Sequence, residues 1–178
     1  MSLDEFILGN EPFIRLGFFF GILALIGLWE VIAPRRALTV SKAVRWGSNL
    51  GIVVLNTVVL RLLFPAAAVG MAFFAGEQGW GIFNYIEVPY WLAVVVSVIV
   101  LDFVVWLQHI MVHAIPLFWR LHRMHHADLD FDVTTGARFH PLEIILSMLI
   151  KFSAIVVLGP PVVAVSYTHL RAHETKAN

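Results

Sequence analysis

His109 and His113 stand four residues apart, and His122, His125 and His126 follow in the short run HRMHH. The chain holds eight histidines, and five of them fall within the eighteen positions 109–126. On a helix, positions i and i+4 share a face, with Cβ atoms about 6 Å apart. HxxxH can therefore grip one metal ion or flank a pair. The same applies to HxxHH if it is helical, because i, i+3 and i+4 also line one face. A lone histidine at a membrane boundary is ordinarily a polar group meeting water. Five at these spacings read as a metal site. Imidazole suits zinc, copper, nickel and iron alike. Five ligands exceed the four of a closed tetrahedral site, so a two-metal centre is open as well.

Residues near the boxes extend the reading. Trp106 and Asp102 continue the face of His109 and His113 up the same helix. An ionisable group inside a span is costly and is a functional candidate by default. Asp102 either holds the second nitrogen of a ligand histidine or sits near the interface and meets water. His140 precedes Pro141 and Glu143, residue types that favour a helix start. It is either a further ligand or a polar residue at that start. Asp128, Asp130 and Asp132 alternate; a solvated acidic loop is expected, with support of the ligands as the other reading. Pro116 and Trp119 suggest a bend into a short amphipathic helix along the membrane surface. That bend would fold HRMHH back onto the first pair, with Arg120 and Arg123 on the headgroup side. Arg61 inside a span is expected to snorkel, and a lipid headgroup or acyl carboxylate is the other partner it could attract.

The elements that must position these histidines are written in the composition. The 178 residues are 60% hydrophobic and 13% charged, with mean hydropathy +0.84. Soluble domains lie nearer half apolar and a quarter charged, so an integral membrane protein is expected. The net charge is zero, and nothing points to nucleic acid as a partner. The absence of cysteine excludes disulfides, thiolate metal sites and a cysteine nucleophile. The N-terminal MSLDEFILGNEP has three acids and no base. It lacks the basic region of a cleavable signal, so the first apolar stretch reads as a retained span.

A helical span needs about 20 apolar residues. Four stretches qualify: Phe13–Ile32; Asn49–Phe74, interrupted by Arg61 and Pro65; Tyr90–Met111; and Leu142–Val165, broken near the GPP at 159–161. The expected fold is an all-α polytopic transmembrane helical bundle of about four spans. The basic loop 34–46, with Arg35, Arg36, Lys42 and Arg45, should be cytoplasmic. The loop 75–89, with Glu77 and Glu87, should face outward, and Trp80, Tyr85, Tyr90 and Trp91 read as an aromatic belt. The histidine segment 114–141, with Arg120, Arg123 and Arg138, then falls on the cytoplasmic side. The final SYTHLRAHETKAN changes character abruptly and resembles translated sequencing-adapter DNA. It is expected to be a non-native tail, so His169 and His173 are set aside as ligands and the native chain should continue past Val165. The organisation read from the sequence is 1–89 N-terminal transmembrane helices, 90–165 a partial catalytic domain, and 166–178 the tail.

DFVVWLQHIMVH and LFWRLHRMHHADLDFDVTTGARFHPLE together resemble the fatty acid hydroxylase / sterol desaturase superfamily of membrane enzymes. The resemblance is firm over about 100–150 and diffuse before it. It implies a nonhaem metal pair, ordinarily two irons, on the cytoplasmic side of a helical membrane domain. By match to the boxes, His109 and His113 would be ligands of the first box, and His122, His125 and His126 of the second. His140 matches a position whose ligand role stays open. The resemblance also implies O2 as co-substrate, an external electron donor, and a lipid or acyl/sterol-like substrate reached from the bilayer. A bacterial inner membrane is the expected setting. Further C-terminal histidines of the family pattern are absent from this sequence, which fits a fragment.

Other readings make different demands. An acyl desaturase or alkane hydroxylase has similar boxes, but the HRMHH and RFHPLE context argues against it. A haem protein needs histidines facing each other deep in the bundle, and none lies there. A zinc-binding membrane protein and an inactive metal-binding remnant both stay open.

Overall fold

The computed structural model describes residues 3–34 and 37–171. Arg35, Arg36 and His173 lie outside the described residues, as does the tail from residue 172. The described residues are helical throughout, apart from turns and linkers. In chain order the helices are α1 (Leu3–Ile32), α2 (Lys42–Leu63), α3 (Ala67–Glu77), α4 (Ile82–Tyr85), α5 (Tyr90–Ala114), α6 (Pro116–His126), α7 (Pro141–Leu158) and α8 (Val162–Arg171). A single 3-10 turn, Thr135–Ala137, lies between α6 and α7.

Three helical stretches are long and apolar enough to cross a membrane: Lys42–Tyr85, Tyr90–Ala114 and Pro141–Leu158. Leu16–Ile32 is a shorter apolar stretch. Its 17 residues reach about 25 Å as a helix, a little less than the roughly 30 Å hydrocarbon core. The chain is thus an all-α, polytopic membrane protein.

Breaks fall where the backbone chemistry requires them. Pro65 has no N–H and cannot continue a helix, so α2 stops at Leu63 and α3 begins at Ala67. The α2 helix starts at Lys42, seven residues before the Asn49 expected from hydropathy. The extra turns carry Arg45, which is a buried polar residue of α2 along with Asn49 and Asn56. Hydropathy misread that start because these polar groups face protein. Gly159 closes α7 in the left-handed region at φ 63°, and Pro160 and Pro161 prevent continuation. The α8 helix then runs through Val165 to Arg171 without interruption, and Ser166 and Thr168 are buried. The change of composition at residue 166 is therefore not a structural boundary.

The core is small-residue packing around α3. Ala68, Ala72 and Ala75 recur at helical spacing and join Leu101, Met148, Ile155 and Val165 in one buried cluster. Alanines let helix backbones approach closely, which is how helices associate without a hydrophobic drive in lipid. The α3 helix packs on α7 and α8, and α5 packs on α6, α7 and α8. At the end of the bundle away from the histidines, Gly81 (φ 94°) meets the Gly159 turn so closely that a Cβ on Gly81 would lie 2.1 Å from Gly159 N. Trp80, Tyr85, Tyr90 and Trp91 are all exposed near that end, as an interfacial belt requires.

Candidate metal centre

The last two turns of α5 carry His109 and His113, and α6 turns back at Pro116 to bring His122, His125 and His126 against them. Ile115 is extended between the helices, and Pro116 occupies the first turn of α6, where its missing N–H is harmless. The expected fold-back therefore occurs. Ring centroids are 4.8 Å apart for His109–His113, 5.0 Å for His109–His122 and 4.7 Å for His113–His122. His126 joins at 5.0 Å from His113 and 4.9 Å from His122. His125 lies 5.0 Å from His126.

One ligand nitrogen from each of His109, His113 and His122 can be chosen so that all lie within 4.8 Å of one another. His122 Nε2 and His126 Nε2 are 3.2 Å apart. Two nitrogens bound tetrahedrally at the usual zinc–imidazole distance would stand about 3.3 Å apart. The donor set therefore fits a transition metal held by imidazole. His122 is fully buried and His125 nearly so, while His109, His113 and His126 are exposed along one side.

Groups behind the histidines fix their orientation. The His122 Nδ1–H donates to Glu143 Oε1 at 2.7 Å, and both side chains are buried. A carboxylate at Nδ1 selects the tautomer with a free Nε2 lone pair and raises ligand basicity. His125 stacks on Phe139 at 4.5 Å and 10° between planes. The Phe139 carbonyl in turn accepts from Asn56 Nδ2 of α2 at 2.9 Å. Trp119 covers the other side, 5.3 Å from His113 and 5.8 Å from His126. Burial, with the neighbouring His122 and His113, pushes the His126 imidazole below its ordinary pKa. This favours the neutral ring that a metal ligand must have.

The remaining sequence candidates take other places. His140 is the N-cap of α7, where its Nδ1 accepts from the Leu142 N–H at 3.2 Å. Among the described residues it makes no ring contact with the five. Asp102 is half-buried, seven residues up α5 from His109, or about 10 Å along the helix. Trp106 packs on Phe103 at 5.6 Å.

Asp128, Asp130 and Asp132 are not the solvated loop expected of them. All three carboxylates are turned inward. Arg45 Nε and Nη2 donate to the two oxygens of Asp128 at 3.1 and 2.9 Å, and Nη2 lies 3.1 Å from Asp132. Trp46 Nε1 donates to Asp132, and Thr135 Oγ1 to Asp128. Asp130 accepts from the Thr39 hydroxyl and the Thr39 and Val40 N–H groups. Burial alone would raise the Asp128 carboxyl, but the Arg45 and Thr135 hydrogen bonds outweigh it and hold it well below the usual range. The Thr39 hydroxyl, against some burial, likewise holds Asp130 low. This latch ties the loop after the second histidine box to the α1–α2 junction.

The family model for fatty acid hydroxylases matches residues 94–176. That span takes in both histidine boxes, Glu143 and all of α7 and α8. Over these residues the chain is similar to the fatty acid hydroxylase family. Neither the curated proteins nor the solved structures yield a match. The fatty acid hydroxylase region extends past Val165 into the stretch read as a tail. Arg45, Asn49 and Asn56, which fasten this region from α2, lie before it.

Glu143, Phe139, Trp119, Asn56 and Arg45 were missed as site residues by sequence reasoning. The signal for Glu143 was present: a carboxylate three residues after a histidine, on a first helical turn. A helix-dipole role accounted for it equally well.

Proposed function

We propose that this chain forms the metal-binding core of an O2-dependent membrane hydroxylase or desaturase acting on a lipid. The observation that carries this is the convergence of ligand atoms from His109, His113 and His122 within 4.8 Å, inside a fatty acid hydroxylase region. In this reading His109, His113, His122, His125 and His126 hold a pair of iron ions. His140 is a cap first and a ligand only through its Nε2.

When bound, the metal supplies the oxygen and electron chemistry needed to attack an unactivated C–H bond. The protein supplies position. Glu143 holds the His122 proton on Nδ1, and Phe139 and Trp119 fix the planes of their neighbouring imidazoles. The exposed edges of His109, His113 and His126 leave an open side for further ligands, such as the C-terminal histidines of the family pattern, and for substrate. The lipid reaches this side from the bilayer, because both histidine boxes sit at the foot of the α5 span. An external donor provides the electrons. The histidine side is the cytoplasmic face, and a bacterial inner membrane is the setting the resemblance favours.

A second reading is a zinc site. Three converging imidazoles with an open side are also the ligand set of zinc centres.

The test is to purify the full-length protein from membranes and measure bound iron and zinc per chain. The purified protein is then given O2, a reductant with an electron-transfer protein, and a membrane lipid extract. Iron with a lipid product that has gained an oxygen or lost two hydrogens supports the oxygenase. Zinc without turnover overturns it in favour of the second reading.

A further inference from the structure

The loop after the second histidine box is inside out. Asp130 and Asp132 are 2% and 7% exposed, whereas Leu129 and Phe131 are 76% and 61% exposed. Side-chain exposure alternates along this segment, with Leu129 and Asp130 in a bend. One register therefore sends three carboxylates into the protein and two large hydrocarbons out of it. The linker before α2 is exposed at Leu38, Thr39 and Val40 alike. Thr39 donates its hydroxyl to Asp130 at 2.6 Å, and Leu38 and Val40 on either side are 39% and 45% exposed. Both apolar pairs thus flank one hydrogen-bonded junction, and Val44, one turn into α2, is 63% exposed.

The level of this junction is set by the spans. The linker joins the end of α1 at Ile32 to the start of α2 at Lys42. It lies where the chain leaves the bilayer and re-enters it. The Thr39 and Val40 bonds to Asp130 hold Leu129 and Phe131 at that same level. In water the opposite register would be favoured, with carboxylates solvated and Leu and Phe covered. At a bilayer interface the outside consists of headgroups and upper acyl chains, which apolar side chains enter. The register observed is the one that suits lipid.

We propose that Leu129 and Phe131, with Leu38 and Val40, form an interfacial anchor embedded in the leaflet on the histidine side, with phospholipid as its partner. His126 lies three residues before Leu129, so the anchor holds the rim of the metal centre at lipid level. The proposal stands on the membrane fold and needs no particular activity of the metal centre.

The test uses the absence of cysteine from these 178 residues. Leu129→Cys and Phe131→Cys are made in this chain, labelled with a nitroxide, and reconstituted in phosphatidylcholine–phosphatidylglycerol vesicles. Both positions are exposed, so folding should survive; unchanged size-exclusion behaviour and metal content verify this. Collision rates are read by electron paramagnetic resonance with O2, which partitions into lipid, and with a water-soluble nickel chelate. The expected result is oxygen collisions several-fold above nickel collisions at both positions. Nickel collisions dominating at either position would show a water-facing loop and overturn the proposal. A label immobilised and reached by neither reagent would show that protein covers the patch, and would overturn it as well.

Discussion

Glu143 Oε1 lies 2.7 Å from His122 Nδ1, with the two side chains 6% and 1% exposed. The carboxylate comes from the first turn of α7 and the imidazole from the middle of α6. Their bond therefore fixes both the tautomer of His122 and the packing of two helices. Removing a carboxylate behind a metal ligand ordinarily weakens metal binding by about 10–100-fold. Glu143→Gln should keep the fold and lose metal affinity in that range, measured by competition with a chromogenic chelator. Glu143→Ala should lose more, because it also leaves a buried N–H without a partner at about 1–3 kcal/mol. Unchanged affinity in Glu143→Gln would remove Glu143 from the site.

Arg45 is the cation in a buried acidic nest. Its removal leaves Asp128 and Asp132 facing each other without compensation. Breaking a buried ion pair from one side costs about 3–5 kcal/mol. Arg45→Met should therefore lower the unfolding temperature of the detergent-solubilised protein sharply. The triple variant Arg45→Met/Asp128→Asn/Asp132→Asn, which removes the charge on both sides, should recover part of the loss. A destabilisation no smaller in the triple variant would mean that packing of the arginine stem, not charge, is what matters.

The same latch predicts an acid dependence. The folded Asp128 carboxyl is depressed below its ordinary value. A depressed carboxyl contributes stability that is fully present above the unfolded pKa, near 3.9, and is lost as pH falls toward the folded value. The latch should therefore be intact at neutral pH and weaken only below about pH 4. Unfolding temperature followed from pH 6 downward should fall less steeply below that point in Asp128→Asn than in the unaltered protein. Equal slopes would show that other carboxylates govern acid unfolding.

Much of this arrangement was legible in the sequence, and what was not has a physical reason. Histidine spacing gave the two boxes, because i+3 and i+4 periodicity survives whatever the helix packs against. Pro65, Pro116 and the Gly159–Pro161 turn marked real breaks, because proline and left-handed glycine act locally. The start of α2 and the role of the three aspartates were hidden. Arg45, Asn49 and the DLDFD run look like solvent-facing polar groups until their partners, some 80–90 residues away, are in place. A hydropathy window has no access to such pairings.

Gly79 and Gly81 both have positive φ, at 67° and 94°, but only Gly81 lies against backbone. A Cβ at Gly79 would meet nothing within 4 Å. Gly79→Ala should therefore carry only the conformational cost of a left-handed alanine, about 1–2 kcal/mol. Gly81→Ala must also push apart the α3–α4 and α7–α8 turns, and at φ 94° and ψ 160° it occupies a backbone region open essentially to glycine alone. It should cost clearly more stability than Gly79→Ala in parallel thermal unfolding. Equal effects would mean that the contact between the two turns does not hold the bundle together.

His140 and the five clustered histidines should separate in a metal-content experiment. Loss of His122 removes a fully buried imidazole at the centre of the cluster, in ring contact with His109, His113, His125 and His126. His122→Ala should therefore reduce bound metal to near background, and His113→Ala should do nearly the same. His140 instead accepts the Leu142 N–H at the start of α7. Losing an N-cap acceptor costs about 0.5–2 kcal/mol, a lower unfolding temperature with metal retained. His140→Asn can restore the cap, because Asn is a strong N-cap residue, but it offers no imidazole. Retention of metal in His140→Asn with recovered stability would make His140 a cap alone. Loss of metal in His140→Asn despite recovered stability would make its free Nε2 a ligand, adding a sixth imidazole to the centre.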